Sequence, residues 1–332
     1  MCTDPRPLRY NLFMKIIHFF GLCLLTGLAS LATAQTWPSK NLTIVVPYPA
    51  GGTSDVLARL LQKPLSEALG VTVVIENKTG AGGMLGAGSV AMNNDGHTVL
   101  LTDLGGLTTG ILTIKDLPFK AEQLQGVGML AYSPHLLAVH PGVTANNLKE
   151  LAVYSQKTPL SLASAGSGSP NHLGVVDIAL TSGLKFVHVP YRGGAQAITD
   201  TLAGVTHVLL NGMVATAPHI HGGKLKLIGV SSKARLASQP NWPTLAEQGV
   251  PGFESGTYQG FMTSASMARA NVDKLNAVIA QVANQAEIKK RVNELGADLM
   301  LLSPKDTGEW LLSDRKRWAN VIEKAGKNIE SN

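Results

Sequence analysis

The chain has little cysteine, little aromatic residue and little charge. Two cysteines in 332 residues, Cys2 and Cys23, cannot build a disulfide scaffold. Aromatic residues are 5% of the chain and charged residues 15%. That charge content is well below the roughly 25% of an average soluble domain, which argues against a coiled coil or long charged helix. The formal net charge is +6, yet no basic block marks a nucleic-acid surface. Only one long apolar run is present, near the N-terminus. Glycine, in contrast, is plentiful: 35 residues, beside 17 prolines and 45% hydrophobic residues. This composition excludes whole-chain disorder and fits a glycine-rich α/β protein, long enough for two domains of ordinary size.

The apolar run spans 16–31 and is interrupted by His18, Gly21, Thr26, Gly27 and Ser30. Met14-Lys15 precedes it and the small residues Ala32-Thr33-Ala34 follow. This is the pattern of a secretory signal peptide within a presequence, 1–34, with Met14 as the expected start and cleavage after Ala34. The run is shorter than the roughly 20 clean apolar residues of a membrane span. Cleavage removes both cysteines and leaves 25 Lys+Arg against 21 Asp+Glu, a net charge of +4 over 298 residues. The expected product is soluble, exported to the periplasm and free of cysteine chemistry.

Past the leader, short β-rich runs at 42–47, 71–75 and 98–102 alternate with helical periodicity over 53–70 and 84–92. Such alternation predicts parallel sheets covered by helices. Further strands are expected at 129–131, 136–139, 160–164, 187–190, 208–210 and 225–230, with helices at 148–154, 173–180 and 194–202. The tail reads as helices over 272–282, 286–295 and 307–325. It has no full sheet of its own, so it is expected to cover the first unit. The reading is a lobe of 35–138 and 251–332 and a second lobe of 139–250, with crossings near 139 and 250.

Glycine-rich loops directly follow several of these strands, and ligands of parallel α/β sheets sit beyond strand carboxyl ends. Gly51-Gly52-Thr53-Ser54 sets amides and hydroxyls at a helix start, which binds an anion without a lysine. Plain turn chemistry is the alternative. Ala165-Gly166-Ser167-Gly168-Ser169 is similar, its serines serving equally as caps or as ligand contacts, and Asn171 adds an amide. Tyr191-Arg192-Gly193-Gly194 is a third loop. Tyr48 and Tyr191 suit a cavity wall or surface packing, and Asn211 a ligand contact or a turn. Asp55 reads as a helix-start residue. No lysine-bearing phosphate loop, dinucleotide fingerprint or nucleophile elbow is present. His219 and His221 lack a third ligand of convincing spacing, so neither metal nor cofactor is expected.

Several segments together resemble the Bug/TctC solute receptors of bacterial tripartite tricarboxylate transport systems. They are Val46-Pro47-Tyr48-Pro49-Ala50-Gly51-Gly52-Thr53-Ser54-Asp55, Glu76-Asn77-Lys78-Thr79-Gly80-Ala81-Gly82-Gly83 and Asn94-Asp95-Gly96-His97-Thr98. In the second half, Ser164-Ala165-Gly166-Ser167-Gly168-Ser169-Pro170-Asn171-His172, His188-Val189-Pro190-Tyr191-Arg192-Gly193-Gly194 and Pro243-Thr244-Leu245-Ala246-Glu247 continue the match. It covers nearly all of 36–328. The resemblance implies a two-lobed periplasmic binding protein fold, each lobe a mostly parallel sheet flanked by helices, with a ligand cleft between the lobes. It implies a monomeric receptor that captures a small organic carboxylate by hinge closure and delivers it to the large and small membrane subunits of a tripartite transporter. Ligand contacts carried over are Tyr48, Gly51, Thr53, Ser54, Ser167, Asn171 and Tyr191, with Thr102 and Asn211 added. The chain departs from the family pattern at Asp103–Gly110, at His207, where an aspartate is usual, and at Leu210-Asn211-Gly212-Met213. A secreted α/β enzyme acting on a small acid, or a periplasmic ligand sensor, are the alternative functions.

Overall fold

The computed structural model describes residues 37–326, so the expected signal peptide at 1–34 lies outside the described residues. From Lys40 onward the elements alternate as the pattern predicts. Strand β1 (Leu42–Val46) leads to helix α1 (Thr53–Leu69), then β2 (Val73–Asn77), a 3-10 turn (Ala81–Gly83) and α2 (Met84–Ala91). Next come β3 (Thr98–Asp103), α3 (Leu104–Thr113), a second 3-10 turn (Ala121–Gln123) and the long strand β4 (Leu124–Val139). The middle of the chain is α4 (Leu148–Lys157), β5 (Leu160–Ser164), α5 (Pro170–Ser182), β6 (Phe186–Pro190), α6 (Gly194–Leu202), β7 (Val208–Gly212), α7 (Met213–His221) and β8 (Lys226–Val230). The return leg is β9 (Gly256–Ser264), α8 (Arg269–Ala283), α9 (Ala286–Glu294), β10 (Asp298–Leu299) and α10 (Pro304–Ala325).

Two mixed sheets result. In the first, β1 pairs in parallel with β2 and β3, while β9 runs antiparallel between β3 and β4 and β10 closes the far side of β4. In the second, β5 pairs in parallel with β6 and β7, and the end of β4 lies antiparallel between β7 and β8. The βαβ units are therefore parallel, and every antiparallel pair among the described strands involves β4 or β9. Strand β1 is buried along nearly its whole length, the continuous apolar run that a strand covered on both faces requires. Helix α1 buries Leu57, Ala58, Leu61 and Leu65 at helical spacing and turns Arg59 and Lys63 outward.

Strand β4 belongs to both sheets. Residues up to Pro134 pair with β9 or β10, and those from His135 onward pair with β7 and β8. At this crossing the His135 amide donates to Ser255 O (3.1 Å) and Ser231 Oγ (2.8 Å), and Ser231 N donates to His135 O (3.0 Å). Three chain segments thus meet at one hydrogen-bonded knot. Burial keeps the His135 imidazole neutral, its pKa held down to about 3.

Helix α10 connects the lobes a further time. Leu311 packs in the first core with Leu104, Leu107 and Met262, while Trp318, Val321 and Ala325 pack in the second core with Leu173 and Phe253. Helix α3 has no strong helical signal in its sequence, since it opens on Leu104-Gly105-Gly106. Its glycines permit close approach instead. A Cβ on Gly106 would lie 3.2 Å from Tyr48 Oη, and one on Gly110 would lie 2.8 Å from Met84 Cε.

Candidate functional site

The carboxyl ends of β1 and β3 and the start of α1 meet beside β9. Thr102, buried at the end of β3, donates from Oγ1 to Tyr48 Oη at 3.4 Å. Burial, reinforced by the neighbouring Asp103 carboxylate, raises the Tyr48 phenol well above its ordinary value, so it stays protonated. Ser54, also buried, donates from Oγ to Gln259 Oε1 at 2.7 Å. Gln259 in turn pairs with Asp103 in the β3–β9 register. Tyr48, Thr102 and Ser54 are thereby drawn into one framework, with Gln259 as a member that the sequence did not flag.

Helix α1 begins on a glycine cap. Gly52 supplies no side-chain acceptor, and the first helical bond runs from Val56 N to Gly52 O at 2.9 Å. The amides of Thr53, Ser54 and Asp55 therefore lie outside the helical ladder, at the positive end of a helix dipole. Backbone amides in this arrangement are chemically suited to an anion. Gly51 contributes differently. Its φ of +84° is a left-handed conformation that suits glycine, and its N–H donates to Asp55 Oδ2 at 2.9 Å. The Gly51 amide is thus spent on holding the loop.

Asp55 is the anchor of that loop. Arg59 Nε and Nη2 bond its two oxygens at 2.9 and 3.0 Å, and Asn77 Nδ2 donates to it at 3.0 Å. The Arg59 hydrogen bonds hold its carboxyl down at about 2, against the desolvation that opposes them. The helix-start reading of Asp55 agrees with this geometry. Asn77 also donates to Tyr48 O at 3.0 Å, tying the end of β2 to the same loop.

Asp103 is the N-cap of α3. Its Oδ1 accepts from Gly105 N (3.2 Å) and Tyr258 N (2.9 Å), so it fastens the helix start to β9. Desolvation pushes this carboxyl up to about 7. Asp314 of α10 lies close enough to add to the rise, and its own carboxyl is pushed up to about 6 by burial. Thr108 donates to Asp314 and links α3 to α10.

In the second lobe, Asn171 and Asn211 are brought together. Asn171 Nδ2 donates to Leu210 O at 2.8 Å and to Asn211 Oδ1 at 3.2 Å, and Asn211 Nδ2 donates to Thr216 Oγ1 at 3.3 Å. Gly194 lies against them: a Cβ there would fall 2.5 Å from Asn211 Oδ1. The helix starts divide into two kinds. Ser169 caps α5 by accepting from His172 N at 3.3 Å, whereas α6 and α7 begin on Gly193 and Gly212 with no side-chain cap. The amides at the start of α6 are thus offered outward, as at α1. Ser167 is exposed on the preceding loop. Tyr191 is half-buried, its ring packed with Leu202 and Ile220 against the Ala163–Ala197 cluster. Burial and a hydrogen bond to Asp200 push its phenol up to about 12. Its ring therefore belongs in part to the packing of its own lobe. His219 and His221 lie in the last turn of α7, with His221 5.1 Å from the Trp242 ring. Among the described residues no group of three His, Cys, Asp or Glu could hold a metal.

Two α/β lobes with uncapped helix starts at their strand ends match a family by sequence as well. The model of the tripartite tricarboxylate transporter family receptor, TctC, matches residues 57–327. The chain belongs to this family. BugT of Bordetella pertussis is 29% identical to it over 322 residues, covering 95% of this chain and 99% of BugT. The structure of R. palustris Rpa4515 with adipate superposes with a TM-score of 0.81 at 28% identity, covering 87% of this chain and 98% of that one. MatC from Rhodopseudomonas palustris with bound malate gives a TM-score of 0.79 at 28% identity, covering 86% and 100%. Two residues of this TctC receptor, His207 and Asp103, have structural roles. His207 Nδ1 accepts from Ser161 N at 3.1 Å and lies 2.7 Å from Ser161 Oγ, so it fastens β5 to the start of β7. Asp103 caps α3.

Proposed function

We propose that this receptor captures a small organic carboxylate between its lobes. The observation that carries the reading is the start of α1, where three backbone amides and the helix dipole stand free of any side-chain cap beside Tyr48, Thr102 and Ser54. In this reading Gly51 shapes the loop, Thr53 presents its amide and hydroxyl, Ser54 presents its amide while its hydroxyl is held by Gln259, and Asn171, Asn211 and Ser167 contribute from the second lobe with the start of α6. Tyr191 borders the site from its loop. Adipate on Rpa4515 and malate on MatC support the ligand class. Amide–carboxylate bonds orient such an acid, and burial between lobes strengthens them.

Closure turns on the knot of His135, Ser231 and Ser255, and the ligand favours the closed form because that form makes more contacts with it. Residues 1–34 direct export to the periplasm. The closed receptor, a monomer, is then read by the large and small membrane subunits of a tripartite transporter. Neither catalysis nor a nucleic-acid partner belongs to this function. Native mass spectrometry of the protein purified without refolding tests it, with the released ligand identified. An intact carboxylic acid, rebinding in titration calorimetry, is the expected result. Turnover of the acid, or absence of affinity across a panel of mono-, di- and tricarboxylates, would overturn it.

A further inference from the structure

A cavity of about 400 Å³ lies in the first lobe between α3, the start of β4 and α10. It shares no lining residue with Tyr48, Gly51, Thr53, Ser54 or Thr102. Its size falls in the range of about 300–1,000 Å³ typical of small-molecule pockets. Leu107 and Ile111 of α3, Leu124 of β4, Met262 of β9 and Leu311 of α10 give it an apolar wall. Leu312 also lines it and is 64% exposed, so an apolar side chain stands at the rim facing water. Gly308 lies one turn earlier on α10, and a Cβ there would meet nothing within 4 Å.

The charges around this wall are uneven. Arg269, Lys305 and Arg315 line it against a single acid, Glu122. Two of the cations are already engaged: Arg269 Nε bonds Asp273 Oδ1 at 2.8 Å, and Lys305 Nζ lies 3.7 Å from Glu309 Oε1. Arg315 differs. Its Nε is buried and has no hydrogen-bond partner. A buried guanidinium N–H left unpaired carries a desolvation cost that an arriving anion relieves. The other polar groups on the wall are committed, Gln125 Nε2 to Ser264 O and Met267 O, and Thr108 to Asp314.

We propose that this cavity is a second ligand site, selective for a monoanionic amphiphile: one carboxylate on an aliphatic body. The carboxylate pairs with Arg315, whose side chain turns to present its unpaired Nε–H. The aliphatic body lies along Leu107, Ile111, Met262 and Leu312. Arg269 and Lys305 are held by Asp273 and Glu309 and the rest of the wall is largely apolar, so a second carboxylate finds no free cation among the described residues of the wall and a dicarboxylate of equal length is rejected.

Octanoate and its dicarboxylate counterpart suberate are suitable probes, read by the methyl resonance of Met262 in protein carrying 13C-methyl methionine. Octanoate is expected to shift that resonance saturably and suberate to leave it in place. Arg315→Gln removes a charge-assisted hydrogen bond and should weaken octanoate by about tenfold or more. Gly308→Leu fills the open space beside the cavity and should abolish the shift. Thermal denaturation of both variants checks that they are folded; if Gly308→Leu is not, Arg315→Gln decides. A Met262 resonance that octanoate leaves unmoved, that suberate shifts equally, or that responds unchanged in folded Arg315→Gln would overturn the proposal.

Discussion

Ser54 donates its hydroxyl proton to Gln259 across 205 residues of chain, at 2.7 Å and out of contact with water. One consequence concerns stability. Gln259→Ala leaves the Ser54 hydroxyl buried without its acceptor, a change expected to cost about 1–3 kcal/mol. Ser54→Ala should cost less, on the order of 1 kcal/mol, because it removes the hydroxyl itself. Urea denaturation of the single and double variants measures the coupling, expected to be favourable and near 1 kcal/mol. Calorimetry on the carboxylate released from the native protein should show weaker binding for Ser54→Ala; unchanged affinity would remove Ser54 from the site.

Asp55 makes acid stability depend on the α1 loop. Its folded carboxyl titrates at about 2 against an ordinary 3.8, so the ionised form is favoured by folding. The contribution is fully present above pH 3.8 and is lost as pH falls through about 2. Asp55→Asn should therefore lower stability by about 2 kcal/mol at neutral pH, with the gap closing between pH 4 and 2. Urea denaturation across that range, comparing the variant with wild type, provides the check. A pH-independent gap would show that the Arg59 and Asn77 bonds act without the charge.

Asp103 works in the opposite direction. Its folded value of about 7 lies above the ordinary 3.8, so the folded state holds the proton more tightly. Stability from this group is complete below pH 3.8 and declines as pH rises through about 7. The stability of wild type relative to Asp103→Asn should fall across this interval, since asparagine does not titrate. Chemical denaturation at pH 4, 5.5 and 7 would follow that trend; a flat difference would contradict it.

Gly194→Ala separates binding from stability. The new methyl collides with Asn211 Oδ1, the movable end of a side chain, so the fold should lose no more than about 1 kcal/mol. Asn211 must swing away, however, and lose its contact with Asn171. The expected result is a melting temperature close to wild type with carboxylate affinity several-fold weaker. Equal affinity would show that the Asn171–Asn211 pair does not contact the ligand.

The sequence made the βαβ units legible because their strands are short apolar runs and their helices keep one apolar face. The tail helices were readable for the same reason. Helix α3 was not, since its glycine-rich start carries no helical periodicity, while the structure uses Gly106 and Gly110 to let the helix pass Tyr48 and Met84 of α2. Strand β4 read as two pieces around Pro134, because an unbroken strand shared by two sheets has no periodicity of its own. Strand β9 was not foreseen. The loop at Gly51–Ser54 was legible as a glycine-rich helix start, but its division of labour was not: the Gly51 amide serves Asp55, and the amides outside the helical ladder come later. Gln259 carried no local signal, because its role exists only through a partner two-thirds of the chain away. Tyr191 was expected beside a ligand, and the structure shows its ring sharing in the packing of the second lobe.

Helix α10 sets Leu311 into one core and Trp318 into the other. The strand crossings by themselves would let the lobes twist as well as bend. In the proposed closure, a helix packed into both cores would resist the twist and narrow the motion toward a single arc, so that the surface presented on closing would be the same each time. For the membrane subunits of the proposed transporter, such reproducibility would itself be a signal.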